Sequence, residues 1–593
     1  MSWLASAFEP VVQSARGYSP RKLRCDAQAG LTVAALELPQ AMAYAVIAGV
    51  PPEYGIYTSI IQGVIGALLS SSNHLASGPT NTQSLLIASA ATRLAGSDPA
   101  LYLQMVFGLA MIKGIIQLLF AAGGLGQMVR YVSRSVILGL MAGAGLLIAA
   151  GQLPVFLGLP GHASGQSSPL PGILGQIHVL VSQLGQINLK AVTIGLISLA
   201  IILGCRWLSR KLPGAILAVV LSAALVALLG WSSSDLSLVG AQPGKLPSFH
   251  IPDLTLEQTQ QLFSGALALA ILGMLESVAI VKSISSQTQE RINPNREFFA
   301  QGISNFISSF FNGIPGSGSF TRSALNHAAG AQTRFAALLC AGFVALAYFM
   351  GSGLIQHLPM ACLAAILLII AFNLIQWREI LRTVATNRED AIVCLTTLVA
   401  TLIAPLEYAI FIGVFLNIAL FVRRSSRLQM IQMVTTGPDH NQFIEEPIRD
   451  TQGQQSVLFL QMEGNLFFGV ADELEDRLSR VAGQQVPVVI IRLKRTSAID
   501  STVLHVMEQF IRQMQSQNGH VLLCGVKPDL YAQLKAYGLV DLLGEKAVFP
   551  ASHDVYSSAR QALAYARTLT GDQAELKATA HMAEPDDWSA YSI

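Results

Sequence analysis

Between about residue 25 and residue 422 the chain passes from one apolar run to the next, most of them near the 20 residues a helix needs to cross a bilayer's hydrocarbon core. In lipid every backbone amide and carbonyl must be paired inside the protein, so runs of this length specify a helical membrane protein. Composition agrees: 52% of the 593 residues are hydrophobic and only 12% are charged, against about 25% in soluble domains. An ordinary soluble enzyme is excluded. Lys plus Arg is 37 and Asp plus Glu is 35, and a formal charge of +2 offers nucleic acid no broad basic surface. The six cysteines are scattered without metal-ligand spacing, so neither a disulfide framework nor a metal site is expected.

The pattern predicts fourteen spans: 27–47, 53–71, 79–94, 100–122, 130–152, 189–205, 213–230, 263–282, 297–312, 320–330, 333–351, 356–374, 389–403 and 406–422. A fifteenth candidate at 171–184 carries Pro171, Gln176, His178 and Gln183, which suit a partly amphipathic extracellular segment equally well. Short cytoplasmic loops collect Lys and Arg, and this tests the count. With the N-terminus inside, the even-numbered spans end near Arg130 and Arg134, then Arg206, Arg210 and Lys211, then Arg291 and Arg296. Arg334, Arg378 and Arg382, and Arg423, Arg424 and Arg427 continue the series. A fifteenth span would invert the later loops. The first residues lack the order of a cleaved signal peptide and are expected to stay in the cytoplasm. The expected organisation is a cytoplasmic segment at 1–24, a membrane domain at 25–425, a linker at 426–437, an α/β domain at 438–570 and a polar flexible tail at 571–593.

Spans three and ten, 79–94 and 320–330, are too short to cross and follow entrances rich in Gly, Ser and Pro, SNHLASGPTNTQS and GIPGSGSFTRS. A helix that starts at membrane depth exposes unpaired amides and the positive end of its dipole, a device that secondary transporters use for anionic ligands. Positions three and ten of fourteen are the offset expected of two related halves of seven spans.

Several residues are candidates for holding a small anion. Gln40 and Tyr44 share a helical face with Glu37 in the first span, where Pro39 weakens the helix, and both can donate hydrogen bonds. A bare Glu37 would repel an anion unless protonated or paired. Ser77, Gly78, Thr80, Asn81 and Thr82 form the first broken-helix entrance, with Pro79 suited to a first turn; capping of the helix is the alternative role. Ser317, Gly318, Ser319, Phe320, Thr321 and Arg322 form the second. Arg322 places a fixed positive charge where the dipole is positive, favouring anions over cations, although it can equally brace the fold through Glu276 or a carbonyl. Glu276, in ALAILGMLESVAIVKS, needs a proton, a cation or donor partners at membrane depth. Lys113 in the fourth span is read as scaffold or as snorkelling to the interface, outside the site.

Beyond residue 430, QQSVLFLQM, VPVVIIRLKR and GHVLLCGV read as strands, and DELEDRLSRVAG and STVLHVMEQFIRQMQSQ between them as amphipathic helices. Alternation of the two gives a small α/β domain. Asp500, Ser501 and Thr502 precede a helix, where they can cap it and present a hydroxyl.

With LPQAMAYAVIAGVPPEYGIYTS, the SGPT at 77–80, GMLESVAIVKS and GIPGSGSFTRSALNHAAG in this order, the sequence resembles the sulfate permease family of anion carriers and channels with a cytoplasmic STAS domain. The tail is similar to STAS in GNLFFG at 464–469 and AIDSTVLHVM at 498–507, and the resemblance covers residues 20–570. It implies two inverted repeats of seven helices arranged as core and gate domains, an elevator-like movement, and a homodimer. It also implies that Gln40 lines the anion cavity, that Ser77 to Thr82 form one half-helix wall, and that Thr321 and Arg322 lie on the other. Glu276 matches an acidic position of the eighth helix with a structural or coupling role. Several bacterial relatives carry an acid where this chain has Gln40, which argues against proton coupling at that position, with Glu37 nearby as a substitute. Sodium-coupled bicarbonate relatives carry an acid in the eighth helix too, in a motif unlike LESVAIVKS. Ser501 takes the position that is phosphorylated in related anti-sigma-factor antagonists.

The function expected is secondary transport of a small anion, sulfate or bicarbonate before a dicarboxylate, by a multi-pass protein in contact with membrane lipid. No GxxxxGK[ST] loop supports direct use of ATP, and no cofactor is expected beyond a co-transported proton or sodium. An anion channel and a membrane sensor signalling through the soluble domain are the alternatives.

Overall fold

The computed structural model describes residues 11–12, 14–95, 98–126, 133–159, 172–208, 213–232, 235–240, 245–290, 292–426, 428–436, 442–446, 456–552 and 554–570. Arg130, Arg210, Lys211, Arg291 and Arg427 of the charge pattern lie outside the described residues, as do residues 1–10 and 13 of the segment 1–24, Pro171 and the tail 571–593. The chain divides into two compact units, Met1–Ile418 and Ala419–Ile593.

The first unit is helical. Its first half holds α1 (Pro20–Ile47), α2 (Pro52–Leu69), a two-residue strand β1 (Ser77–Gly78), α3 (Asn81–Ala95), α4 (Pro99–Ala122), α5 (Arg134–Phe156), α6 (Gly172–Ser182), α7 (Leu189–Leu208) and α8 (Gly214–Leu229). The second half holds α9 (Leu256–Thr288), α10 (Pro294–Ser309), β2 (Ser317–Gly318), α11 (Phe320–Ala328), α12 (Phe335–Ile355), α13 (Met360–Leu374), α14 (Trp377–Thr386), α15 (Arg388–Ile403) and α16 (Leu406–Ser425). Every one of the fourteen expected spans coincides with a helix. The stretch expected as a fifteenth candidate forms the short α6, and α14 is an amphipathic helix that the span count passes over.

Eight of these helices, among the described residues, are long and apolar enough to cross a membrane. Trp207, Leu228, Met350, Phe372 and Phe415 are exposed, an outer surface suited to lipid rather than water. Helix packing sorts into two groups: α1–α4 with α9–α12, and α5, α7 and α8 with α13 and α15. Each half thus gives its first four helices to one group and later helices to the other, the arrangement of two seven-helix repeats forming a core and a gate. α16 joins the second group where Gly413 lies against Val136 and Thr397. In the first group α4 and α10 approach so closely that a Cβ on Gly114 would sit 2.6 Å from the Phe306 nitrogen. Pro39 does not interrupt α1, a single helix of 28 residues opened by Ser19 as N-cap and Pro20 in the first turn.

The second unit is a six-stranded sheet in the order β4-β3-β5-β6-β7-β8, made of β3 (Gln429–Thr436), β4 (Gln442–Glu446), β5 (Val457–Leu466), β6 (Val488–Ile499), β7 (His520–Val526) and β8 (Val548–Pro550). β5 to β8 are parallel and β3 is antiparallel to β5. Within β6 and β7, Val489, Ile491 and Leu523 bury into one core beneath α17 (Phe468–Gly483) and α18 (Ser501–Ser516). Val488, Ile490, Leu522 and Cys524 bury on the other face with Ala559, Ala562 and Leu563 of the final helix. This alternation is the period of two of a sheet covered on both faces. The linker expected at 426–437 is corrected: it holds β3, an edge element whose mixed polarity hides it from a hydropathy reading.

Candidate functional site

β1 and β2 pair antiparallel, Ser77 opposite Gly318 and Gly78 opposite Ser317. The Ser319 amide donates to the Ala76 carbonyl at 2.9 Å, so the crossing extends one residue further. α3 and α11 start just beyond it, at Asn81 and Phe320. With 15 and 9 residues they rise about 22 and 14 Å, and cannot span a core of about 30 Å. Both broken-helix entrances are therefore joined at one point inside the first unit.

A buried amide network holds this point in place. Gln301 Nε2 donates to Ser77 Oγ at 2.8 Å, the Gly316 amide donates to Asn305 Oδ1 at 2.9 Å, and Gln62 Nε2 donates to the Ile314 carbonyl at 3.1 Å. The Ile314 amide donates to Thr58 Oγ1 at 2.8 Å. Of these, Ser77 is a candidate from sequence, whereas Thr58, Gln62, Gln301 and Asn305 are not. Polar side chains inside apolar helices, with Gln301 and Asn305 one turn apart, were the available signal.

Arg322 is fully buried on the first turn of α11. Its guanidinium pairs with Glu37 of α1, and its Nη2 donates to the Pro79 carbonyl at 2.9 Å. Gly78 makes the room, since a Cβ there would sit 2.9 Å from Arg322 Nη1. Of the bracing partners expected from sequence, the carbonyl is present, but the acid is Glu37 rather than Glu276. Glu37 is thus paired rather than bare, and its Oε2 also accepts from Cys340 at 3.1 Å. Arg322 contributes the positive end of an ion pair at the start of α3, not an isolated charge.

Glu276 of α9 lies between the two entrances. It accepts a hydrogen bond from Thr82 Oγ1 on one side and from Ser317 Oγ at 2.6 Å on the other, and Thr80 Oγ1 approaches Ser317 Oγ at 3.3 Å. Pro79 is placed two residues ahead of α3 instead of in its first turn, because the Thr80 carbonyl already accepts the Ser84 amide. Asn81 is half-buried, and its Oδ1 accepts the Thr82 amide at 2.8 Å. Ser319, at the N-cap of α11, makes no side-chain bond to the first turn, which leaves the orphan amides of that turn without a side-chain cap. Phe320 and Thr321 are exposed beside them.

Gln40 and Tyr44 are both buried on α1. Tyr44 lies within electrostatic reach of both Arg322 and Glu276, which ties it to the same junction. Gln40 Oε1 is buried with no hydrogen-bond partner among the described residues, as are Gln62 Oε1, Gln301 Oε1 and Arg322 Nε nearby in the same junction. Lys113 donates to the Gln83 amide oxygen and the Gly316 carbonyl, inside the junction and not outside it as expected. A polar cavity of about 480 Å³ lined by Lys22, Asn73, Glu290, Arg296 and Arg334 shares no residue with the junction. In the second unit, Asp500 caps α18 through the Val503 amide at 3.0 Å and also accepts the Phe468 amide at 2.6 Å. Ser501 is the exposed first residue of that helix.

The sulfate permease family model matches residues 23–397, most of the first unit, and the STAS domain model matches 449–555. The chain belongs to the sulfate permease family. It is 28% identical to a protein named "Probable sulfate transporter Rv1739c" of Mycobacterium tuberculosis, over 92% of this chain and 97% of that one. The structure of the murine anion transporter Slc26a9 in its inward-facing state shares the fold, with a TM-score of 0.85 at 19% identity over 96% of this chain and 95% of that one. The transmembrane domain of the cyanobacterial bicarbonate transporter BicA aligns with a TM-score of 0.57 and 25% identity, over 68% of this chain and 98% of that one. These matches fit the fourteen-span membrane domain and the soluble STAS domain. They place the chain among multi-pass membrane anion transporters, not enzymes.

Proposed function

We propose that this chain is a secondary transporter that carries a small inorganic oxyanion, sulfate before bicarbonate, across the cell membrane by an elevator-like movement of core against gate. The observation that carries the reading is the fastening of two half-helix N-termini to one β1–β2 crossing, with no side-chain cap on the α11 entrance. Orphan amides and two dipole ends attract an anion without a free charge. Gln40, Tyr44, Thr321 and the hydroxyls of the entrances supply neutral donors, which suit the several acceptor oxygens of a sulfate or bicarbonate. A dicarboxylate would call for a second cationic anchor, and the cations described at the junction, Arg322 and Lys113, are engaged with partners.

In this reading Arg322 and Glu37 act together as an oriented pair that fixes the α3 entrance and presents its positive end there. The grouping of helices supports a rigid core carrying the site past a gate. The basic loops support a cytoplasmic N-terminus and a cytoplasmic STAS domain, and the family resemblance supports a homodimer. The test is uptake of labelled sulfate, bicarbonate and fumarate by the purified protein in liposomes under proton, sodium and counter-anion gradients, with Arg322→Ala alongside. Saturable uptake that the substitution abolishes is expected. Large unitary currents without saturation would replace the carrier with a channel, and anion binding without any flux would leave a sensor.

A further inference from the structure

Lys113 stands in the middle of α4 and is fully buried, so its ammonium is out of contact with bulk solvent and must be held by protein groups. Its Nζ donates to the Gly316 carbonyl at 2.6 Å and to Gln83 Oε1 at 2.7 Å. The chain neighbours of those two residues, Ser317 and Thr82, hold the Glu276 carboxylate. Residues 82–83 and 316–317 therefore act as two clasps, one at each half-helix entrance, and each clasp touches both the acid and the ammonium. Gly273 lies one turn before Glu276 on the same face of α9. A Cβ there would sit 3.2 Å from Lys113 Nζ and 3.3 Å from Ser317 Cβ, so glycine leaves the space the ammonium uses.

A backbone carbonyl from an unwound entrance, an amide oxygen and a neighbouring carboxylate are the oxygen donors with which broken-helix transporters hold a coupling cation. Here the chain's own ammonium meets the carbonyl and the amide oxygen, and the carboxylate is held by the residues next to them. We propose that Lys113 is a tethered cation, which permanently fills the place between the two entrances where a sodium ion would otherwise bind, so that anion movement in this protein requires no sodium. The inference rests on the transport reading above and deepens it. A cation joined to α4 stays beside the residues that hold Glu276 throughout the cycle and cannot leave with the substrate, so no sodium gradient is harvested at this point.

The test uses the purified full-length protein and three forms, the parent, Lys113→Ala and Lys113→Met. Thermal unfolding is measured in sodium chloride and in choline chloride at equal ionic strength, and labelled sulfate uptake is measured in liposomes in the same two salts. The parent is expected to show the same Tm and uptake in both. Lys113→Ala, which vacates the place, is expected to have a lower Tm in choline, to recover it saturably with sodium, and to take up sulfate about tenfold more slowly without sodium than with it. Lys113→Met fills the same space with an apolar chain and is expected to lose stability without any sodium response. Sodium dependence in the parent overturns the proposal. So does a Lys113→Ala protein that is equally unstable in both salts, or a sodium response by Lys113→Met equal to that of Lys113→Ala. If the parent moves no anion at all, the transport reading fails while the sodium response of the Tm still decides the role of Lys113.

Discussion

Removing Arg322 strands Glu37. The guanidinium is wholly buried, the Glu37 side chain is 5% exposed, and the carboxylate's other described partner is the weak donor Cys340. Breaking a buried pair by deleting one partner costs about 3–5 kcal/mol. The orphaned Pro79 carbonyl adds about 1 kcal/mol, so Arg322→Ala is expected to destabilise the first unit by about 4–6 kcal/mol. Replacing both charges together, as Arg322→Met with Glu37→Leu, removes the uncompensated ion and is expected to lie within about 2 kcal/mol of the parent. The cycle would then show a coupling of at least about 2 kcal/mol between the two residues. Thermal unfolding of the parent, Arg322→Met, Glu37→Leu and the double variant in detergent measures it, and sulfate uptake in liposomes is read in parallel. The double substitution should restore folding but not uptake, because the positive end of the pair at the α3 entrance is gone. Additive stability effects would refute the ion pair as the element that holds the entrance. A well-folded double variant with full uptake would refute its part in transport.

Three further outcomes follow from particular contacts. Gly78→Ala drives a Cβ to 2.9 Å from Arg322 Nη1 and should cost about 1–3 kcal/mol by overpacking, with uptake falling at least about tenfold; unchanged uptake would show that the entrance tolerates displacement. Asp500→Ala removes the α18 cap and the bond to the Phe468 amide and should destabilise the STAS domain by about 1–2 kcal/mol, whereas Ser501→Ala should stay within about 0.5 kcal/mol in the same unfolding measurement. Burial pushes the Cys524 thiol up to about 12, leaving a thiolate fraction of roughly one in 10⁴ at pH 8; maleimide labelling of Cys524 should wait for denaturant, and rapid labelling of the native protein would contradict the core packing.

The spans and the two broken helices were legible because membrane crossing imposes a length and an apolar run that survive in one dimension. The STAS domain was legible because strand and helix periods differ. The identity of ion partners was not. Arg322 lies 285 residues from Glu37 and 46 from Glu276 in the chain, and hydropathy carries no information about which of the two acids it meets. Lys113 read as scaffold because a lone lysine in an apolar helix gives no sign of whether it reaches the interface or a carbonyl. Helix α14 escaped because its hydrophobic face is a stripe, not a run.

The sequence by itself determined a membrane domain of two seven-helix halves, a soluble α/β domain, and half-helix entrances rich in Gly, Ser and Thr, since each of these is a local pattern of polarity and backbone freedom. Tertiary structure alone decided that the entrances meet at Ser77–Gly78 and Ser317–Gly318. It also decided that Arg322 takes Glu37 as its partner and that Lys113 reaches into the junction. A charge at membrane depth must find its counter-group in three dimensions, and where it finds it depends on which helices pack together.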